Sequence, residues 1–283
     1  MQRDAFNGRN AAISSIVALM VVGSHAFADS DEAVGAEETP PIVDELLFTE
    51  TVQAQEKGEL QLTARVISFD NDDEGDTNTV LLGVEYGITD RLQVEAAWAV
   101  WNQVKAVEDD ERDHTGSGDV EFGVKYAFEE DERTGVRVAI GFDVTIPQGD
   151  VDKDLGEGFW VYEPYIVISK NFGASTNLTV NLAYGFLDRD AYPDEIDEAE
   201  PDADEIEVNV GLVHAFTPAW RGTLELSLET NEQSSKGDET ATYLVPGFVY
   251  KGIEGVEIGA GIPVGLTNDS GDWGVIGMLS LEF

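Results

Sequence analysis

Nine carboxylates and four bases recur at alternate positions between apolar neighbours. They are Glu85, Glu95, Asp119, Glu121, Asp143, Glu207, Glu225, Glu229 and Glu257, with Arg65, Lys125, Arg137 and Arg221. In an extended chain such positions fall on one face and their apolar neighbours on the other. Two kinds of chemistry follow if that face lines an enclosed space. A water-filled lumen with this excess of acid selects cations. A dry interior instead forces the charges into a salt-bridged network. Covalent catalysis is not indicated. His25 lies in the N-terminal leader, His114 in an acidic loop, and His214 continues the apolar face of Ile206, Val208, Val210 and Leu212. Ser227 falls on the opposite face of the neighbouring segment, so no nucleophile–base pair can be assembled. The run Asp70-Asn71-Asp72-Asp73-Glu74-Gly75-Asp76 has the texture of a calcium loop but lacks the distal glutamate, and reads as a solvated acidic loop. No cofactor and no metal site is expected.

The composition narrows the setting. There are 57 acidic against 16 basic residues, a net charge of −41. Nucleic acid is excluded as a partner by that sign. The acids spread over nearly every loop, which reads as a hydrated surface suited to a saline, halophilic habitat. The absence of cysteine excludes disulfides, a thiolate zinc site and lipid attachment through an N-terminal cysteine. Residues 1–28 read as a cleaved signal peptide. Arg3 and Arg9 precede the short apolar stretch Ala11 to Val22, and Ala26-Phe27-Ala28 fits the small-x-small cleavage rule. That stretch is shorter than the roughly 20 residues a spanning helix needs. Residues 29–58 are acidic, contain Pro40-Pro41, and read as a periplasmic N-terminal segment that could also enter the barrel mouth.

The elements that must position the charged face begin at Glu59. Period-2 alternation appears there and persists to the end. Val136, Val138, Ile140, Phe142, Val144 and Ile146 alternate with Arg137, Ala139, Gly141, Asp143 and Thr145, and Leu224, Leu226 and Leu228 alternate with Glu225, Ser227 and Glu229. Twelve such segments are predicted: 59–69, 77–88, 91–102, 118–128, 136–147, 158–171, 176–187, 204–216, 219–230, 240–251, 254–265 and 272–283. Most are 11 or 12 residues long. That suits strands crossing a bilayer, which take about 9–11 residues, better than soluble strands of about 5–6. Short connections alternate with longer acidic ones, the asymmetry of outer-membrane barrels. Aromatics gather at both ends: Tyr126, Phe128, Phe172, Phe216, Trp220, Tyr250 and Phe283 at one, Phe69, Trp101, Phe159, Trp160, Phe186 and Trp273 at the other. In the first hairpin even positions must pair with even ones, which predicts a loop of odd length, most simply three residues. Gly123, Gly141, Gly185, Gly259 and Gly261 leave space on the inward face.

Three stretches resemble a known family. Gly83-Val84-Glu85-Tyr86-Gly87-Ile88-Thr89-Asp90-Arg91-Leu92-Gln93-Val94 resembles its "xYGxTDRxxL" hairpin. Residues Gly116 to Tyr126 resemble its "GxGDxxxGxKY" strand, and Val144 to Gly149 its "xxxLPxG" strand end. The family is the outer-membrane transporter group named after the meta-pathway of phenol degradation. The resemblance implies an outer-membrane barrel that acts as a channel for small organic molecules. The terminal Phe283 after Leu279 and Leu281 resembles the signal read by the outer-membrane assembly machinery.

The expectation is therefore an all-β protein of the bacterial outer membrane. Its residues 59–283 close an antiparallel up-and-down transmembrane barrel of about 12 strands, in contact with outer-membrane lipid. The lumen would be narrow and cation-biased, and would pass small organic solutes, aromatic ones among them. Trp101, Phe159 and Trp160, where strands meet the outer loops, would hold planar solutes at the mouth, or else anchor the barrel in lipid. The alternative is a closed structural barrel with a salt-bridged interior and no transport role.

Overall fold

A computed structural model describes residues 43, 45–71, 75–105, 113–156, 158–188, 204–231 and 239–283. The expected signal peptide, Pro40-Pro41 and most of the longer acidic loops lie outside the described residues. The strands are β1 (Leu60–Asp70), β2 (Thr77–Thr89), β3 (Leu92–Val104), β4 (His114–Gly116), β5 (Val120–Ala127), β6 (Val136–Ile146) and β7 (Trp160–Phe172). They continue with β8 (Thr176–Asp188), β9 (Glu205–Ala215), β10 (Trp220–Asn231), β11 (Glu239–Ile253), β12 (Val256–Gly261), β13 (Val264–Gly265) and β14 (Trp273–Glu282). The short β4 pairs with β3 above β5, and β13 continues the line of β12 between β11 and β14. There are thus twelve staves, each antiparallel to its neighbours. β1 pairs with β14 from Gln61↔Glu282 to Asp70↔Trp273, which closes the barrel.

Alternation explains why these segments form strands of this kind. Buried and exposed positions alternate along β1, β3, β8 and β9. The outward set is apolar: Leu62, Val66, Leu82, Phe122, Ile140, Leu182, Leu212, Leu226 and Leu279 are all exposed. Large apolar side chains turned outward around the whole circumference need lipid, not water, as their surroundings. Aromatics ring the ends of this belt. Tyr126 packs edge-on against Phe128 at 5.0 Å, and Trp220 lies 4.8 Å from Tyr250, both at the end where the chain's two strand termini meet. Trp160 stacks on Tyr162 at the other.

Three expectations are corrected. The first hairpin keeps even on even, with Leu82 opposite Trp98, Val84 opposite Ala96 and Tyr86 opposite Val94. Its turn, however, is two residues, Asp90-Arg91. The ladder shifts between Gly87 and Thr89, leaving Ile88 as a bulge that absorbs the odd residue. The Thr89 Oγ1 accepts from the backbone N–H of Leu92 at 3.0 Å and fixes that turn. Phe69, expected in the outer girdle, is buried and tilts against Tyr243 with ring centroids 5.2 Å apart. The reason is parity: Leu62 and Val66 set the even positions of β1 outward, so residue 69 must face inward. The described part of the segment read first as periplasmic, Val43 and residues 45–55, lies buried within the barrel, on the side of the alternative that it enters the mouth.

The outward face generates a stability prediction. Leu226 sits mid-strand in β10, between Val210 and Leu244 on the lipid side. Leu226→Arg should cost about 2–4 kcal/mol in a lipid bilayer. Denaturant unfolding in vesicles checks this, with Thr230→Arg near the strand end as the milder comparison.

Candidate functional site

The functional surface of a barrel is its lumen, and here the chain's own N-terminal segment fills it. Residues 45–55 enter the lumen, and residues 56–59 leave it by a tight turn. In that turn the Glu59 N–H donates to the Glu56 carbonyl at 3.1 Å and the Gly58 N–H to the Gly87 carbonyl at 2.8 Å. Gly58 takes φ 89°, a left-handed conformation that glycine adopts without strain. At this neck, burial first and then the Glu59 and Asp90 charges hold the Glu56 carboxyl above its ordinary range.

Apolar side chains of the plug go to three separate patches of wall. Leu47 and Phe48 join Ile67, Phe69, Leu81, Tyr243, Val245, Ile276 and Met278. Val52 packs with Ala139, Tyr165, Val167 and Ala183, and Val43 with Leu46, Val213 and Val249. Of the inward glycines expected to leave free space, Gly259 and Gly261 make room for Leu47 and Gly141 for the wall residue Tyr165, and Gly211, which was not in that set, makes room for Leu46. A Cβ on Gly261 would stand 2.4 Å from Leu47, one on Gly211 2.7 Å from Leu46, and one on Gly141 2.0 Å from Tyr165.

Polar anchors fix the register. Glu225, fully buried on β10, accepts three consecutive backbone N–H groups: Leu47 at 2.9 Å, Phe48 at 2.8 Å and Thr49 at 2.7 Å. Arg65 pairs with Glu45 at 2.6 Å and also donates to the Leu46 carbonyl at 3.2 Å. Lys125, without solvent exposure, pairs with Glu50 at 2.5 Å. Asn209 donates to the Phe48 carbonyl at 3.2 Å, and the Gln55 N–H donates to Gln93 at 2.9 Å. The Gln61 amide donates to Glu45 and receives a bond from Gln55.

The thirteen charged positions read from the sequence divide as follows. Arg65, Glu85, Glu95, Glu121, Lys125, Asp143, Glu207, Arg221, Glu225, Glu229 and Glu257 are buried inside the barrel. Glu85 and Glu95 both accept from Gln93, at 2.9 and 2.6 Å, while Tyr165 donates to Glu95 at 3.3 Å. Glu121 receives Thr145 at 3.4 Å, and Glu257 pairs with Lys251 at 3.0 Å. Arg137 lies near the end of β6 and reaches Glu130 at 3.5 Å. Asp119 is at the rim and binds a loop instead: its Oδ1 accepts the N–H groups of Gln148 and Gly149, both at 2.7 Å. The aromatic mouth is corrected as well. Trp101 pairs with outward Val80 and is exposed on the lipid side, Trp160 stacks on Tyr162 in the outer girdle, and Phe159 is buried. Glu45 and Glu50 are charged lumen residues that strand periodicity could not find, because they sit on no strand; Glu205, buried at the start of β9, and Lys251, paired with Glu257, were missed although they lie on strands. The signal of the first two was the modest apolar run 42–48 amid acids.

The comparisons agree with this architecture. Residues 44–283 match the family described as "Putative MetA-pathway of phenol degradation", a span that includes the plug. An outer membrane channel from Pseudomonas putida F1 superposes with a TM-score of 0.62 at 13% identity, covering 82% of this chain and 98% of that one. The NanC porin superposes with a TM-score of 0.53 at 12% identity, covering 79% and 98%. A comparison with curated protein sequences gave no match. Fold and apolar belt together place the chain in the bacterial outer membrane.

Glu225 holds residues 47–49 of the plug, so its removal has a defined effect. Glu225→Ala leaves three buried N–H groups without their acceptor, each costing about 1–3 kcal/mol. Amide hydrogen exchange at residues 47–49 should accelerate at least about tenfold. The Gln55 amide, held separately by Gln93, should change far less.

Proposed function

The chain belongs to that family, and from this premise we propose that it is a passive channel for small organic solutes, with a narrow, cation-biased lumen. The observation that carries the reading is the lining. Inward acids outnumber inward bases, and two of the buried bases, Arg65 and Lys125, are engaged by Glu45 and Glu50. Glu121, Asp143 and Glu207 pair with no lysine or arginine among the described residues. Carboxylates left without a counter-charge favour cations and repel anions at close range. Passage needs no energy source in this reading, only a path around or past the seated segment. Aromatic solutes are favoured by the apolar patch of Phe69, Tyr243, Ile276 and Met278 inside the lumen, rather than by tryptophans at the mouth.

A second reading has its own support. The plug packs against three patches of the wall, which suits a closed structural barrel. The two readings separate in planar bilayers. Reversal potentials across a salt gradient should show cation preference, and Glu95→Gln with Glu121→Gln should weaken it. Deleting residues 43–55 should raise conductance several-fold. Anion preference refutes the channel reading as stated. A folded deletion variant that stays silent at every voltage supports the structural barrel. Liposome swelling should admit phenol-like solutes faster than organic anions, and faster entry of the anions contradicts the proposal.

A further inference from the structure

The seat of Phe48 has a chemistry more specific than a hydrophobic stopper requires. Glu225 is fully buried, and no lysine or arginine among the described residues pairs with it; its charge is met by three neutral backbone N–H groups. On the far side of the same residue, the Phe48 ring stacks on Tyr243, with centroids 6.4 Å apart and planes 27° apart. Tyr243 in turn tilts against Phe69 at 5.2 Å. The wall thus offers a carboxylate and an aromatic surface, spanned by the atoms N, Cα, Cβ and ring of one phenylalanine. Those atoms are the skeleton of a 2-arylethylamine.

We propose that the lumen site formed by Glu225, Tyr243 and Phe69 binds arylalkylammonium cations, and that Phe48 of the plug occupies it as an internal surrogate. A primary ammonium can direct one or two of its three N–H donors at the Glu225 carboxylate, taking the place of the Phe48 N–H. It also brings the positive charge that the backbone groups lack, and charge-assisted hydrogen bonds are roughly twice as strong as neutral ones. The ring replaces the Phe48 ring on Tyr243. A neutral alcohol of the same shape keeps the ring contact but offers one donor and no charge. An arylacetate places an anion against Glu225 and is repelled. The proposal deepens the channel reading by naming a solute class for its lumen, but binding is measurable without conductance, so the two can fail separately.

The test uses the full chain in detergent, with folding verified by heat-modifiable migration. Calorimetric titration compares 2-phenylethylammonium, 2-phenylethanol and phenylacetate, and hydrogen exchange at residues 47–49 is followed in parallel. The wild type should bind the ammonium saturably and weakly, because Phe48 must be displaced, and exchange at 47–49 should rise with occupancy. Phe48→Ala should bind it about tenfold more tightly, and Glu225→Gln about tenfold or more weakly than the wild type. If Phe48→Ala does not fold, Phe48→Leu takes its place. Equal binding of alcohol and ammonium overturns the proposal. So does unchanged affinity in Glu225→Gln, or ammonium binding that leaves exchange at residues 47–49 untouched.

Discussion

The pairing of β1 with β14 is the constraint on which the rest depends. Hydrocarbon offers no partner to a backbone N–H or carbonyl, so a sheet that spans it cannot keep an edge. Ten paired positions, from Gln61↔Glu282 to Asp70↔Trp273, remove the two edges at once. Closure with antiparallel neighbours requires an even number of staves, and an even number brings both ends of the barrel domain to one mouth. The Leu60 N–H donates to the Phe283 carbonyl at 3.1 Å and the Phe283 N–H to the Leu60 carbonyl at 2.9 Å, so the ends are joined there. The segment before β1 therefore starts beside an open lumen, and the turn at Gly58 sends it inward.

What it meets there explains why it stays. Strand alternation that makes the outside apolar makes the inside polar, and polar groups cut off from water need partners. A dozen staves enclose too little room for bulk water around every inward side chain once long ones such as Lys125 and Tyr165 project into it. The plug supplies backbone donors to Glu225, carbonyls to Arg65 and Asn209, and carboxylates to Arg65 and Lys125. Buried ion pairs add little net stability, but removing one partner is costly. Their combined effect is register. Sliding the plug by one residue would break the Glu45 and Glu50 pairs together and pull Leu47 out of the space at Gly259 and Gly261.

Much of this was legible in the sequence, and the boundary of what was not has a physical cause. Each predicted segment corresponds to a stave, because period-2 patterning is a local property of every strand. The segment 158–171, interrupted by Pro164, still forms β7; Pro164 pairs with Phe142, and the ladder toward β8 skips from Tyr162 to Tyr165. Of the plug, only its entry into the barrel was legible, and only as an alternative; its contacts were not. It has no period, and its partners lie far along the chain: Leu47 and Glu225 are 178 residues apart. The hairpin loop length failed because bulges insert single residues without altering the pattern, as Ile88 does. Trp101 was placed at the mouth from its position along β3. Its facing depends on the extra residue Val100, where the ladder steps from Ala99 to Trp101 against adjacent Leu81 and Val80.

The plug also acts on the charge of the lumen in a direction opposite to intuition. An acidic wall invites a basic stopper, yet this one contributes Glu45 and Glu50, and they engage the bases of the wall, not its acids. Seating the segment therefore removes Arg65 and Lys125 from the field felt by a passing ion and leaves Glu121, Asp143 and Glu207 uncompensated by any described base. With the segment out, both bases would face the lumen and offset part of that acid. Fixed charges in a narrow, poorly screened space act more strongly than the same charges across a wide, salt-filled one. On the proposed channel reading both effects run the same way: the cation bias would belong chiefly to the seated, narrow state, and displacing the segment would widen the path while making it less selective.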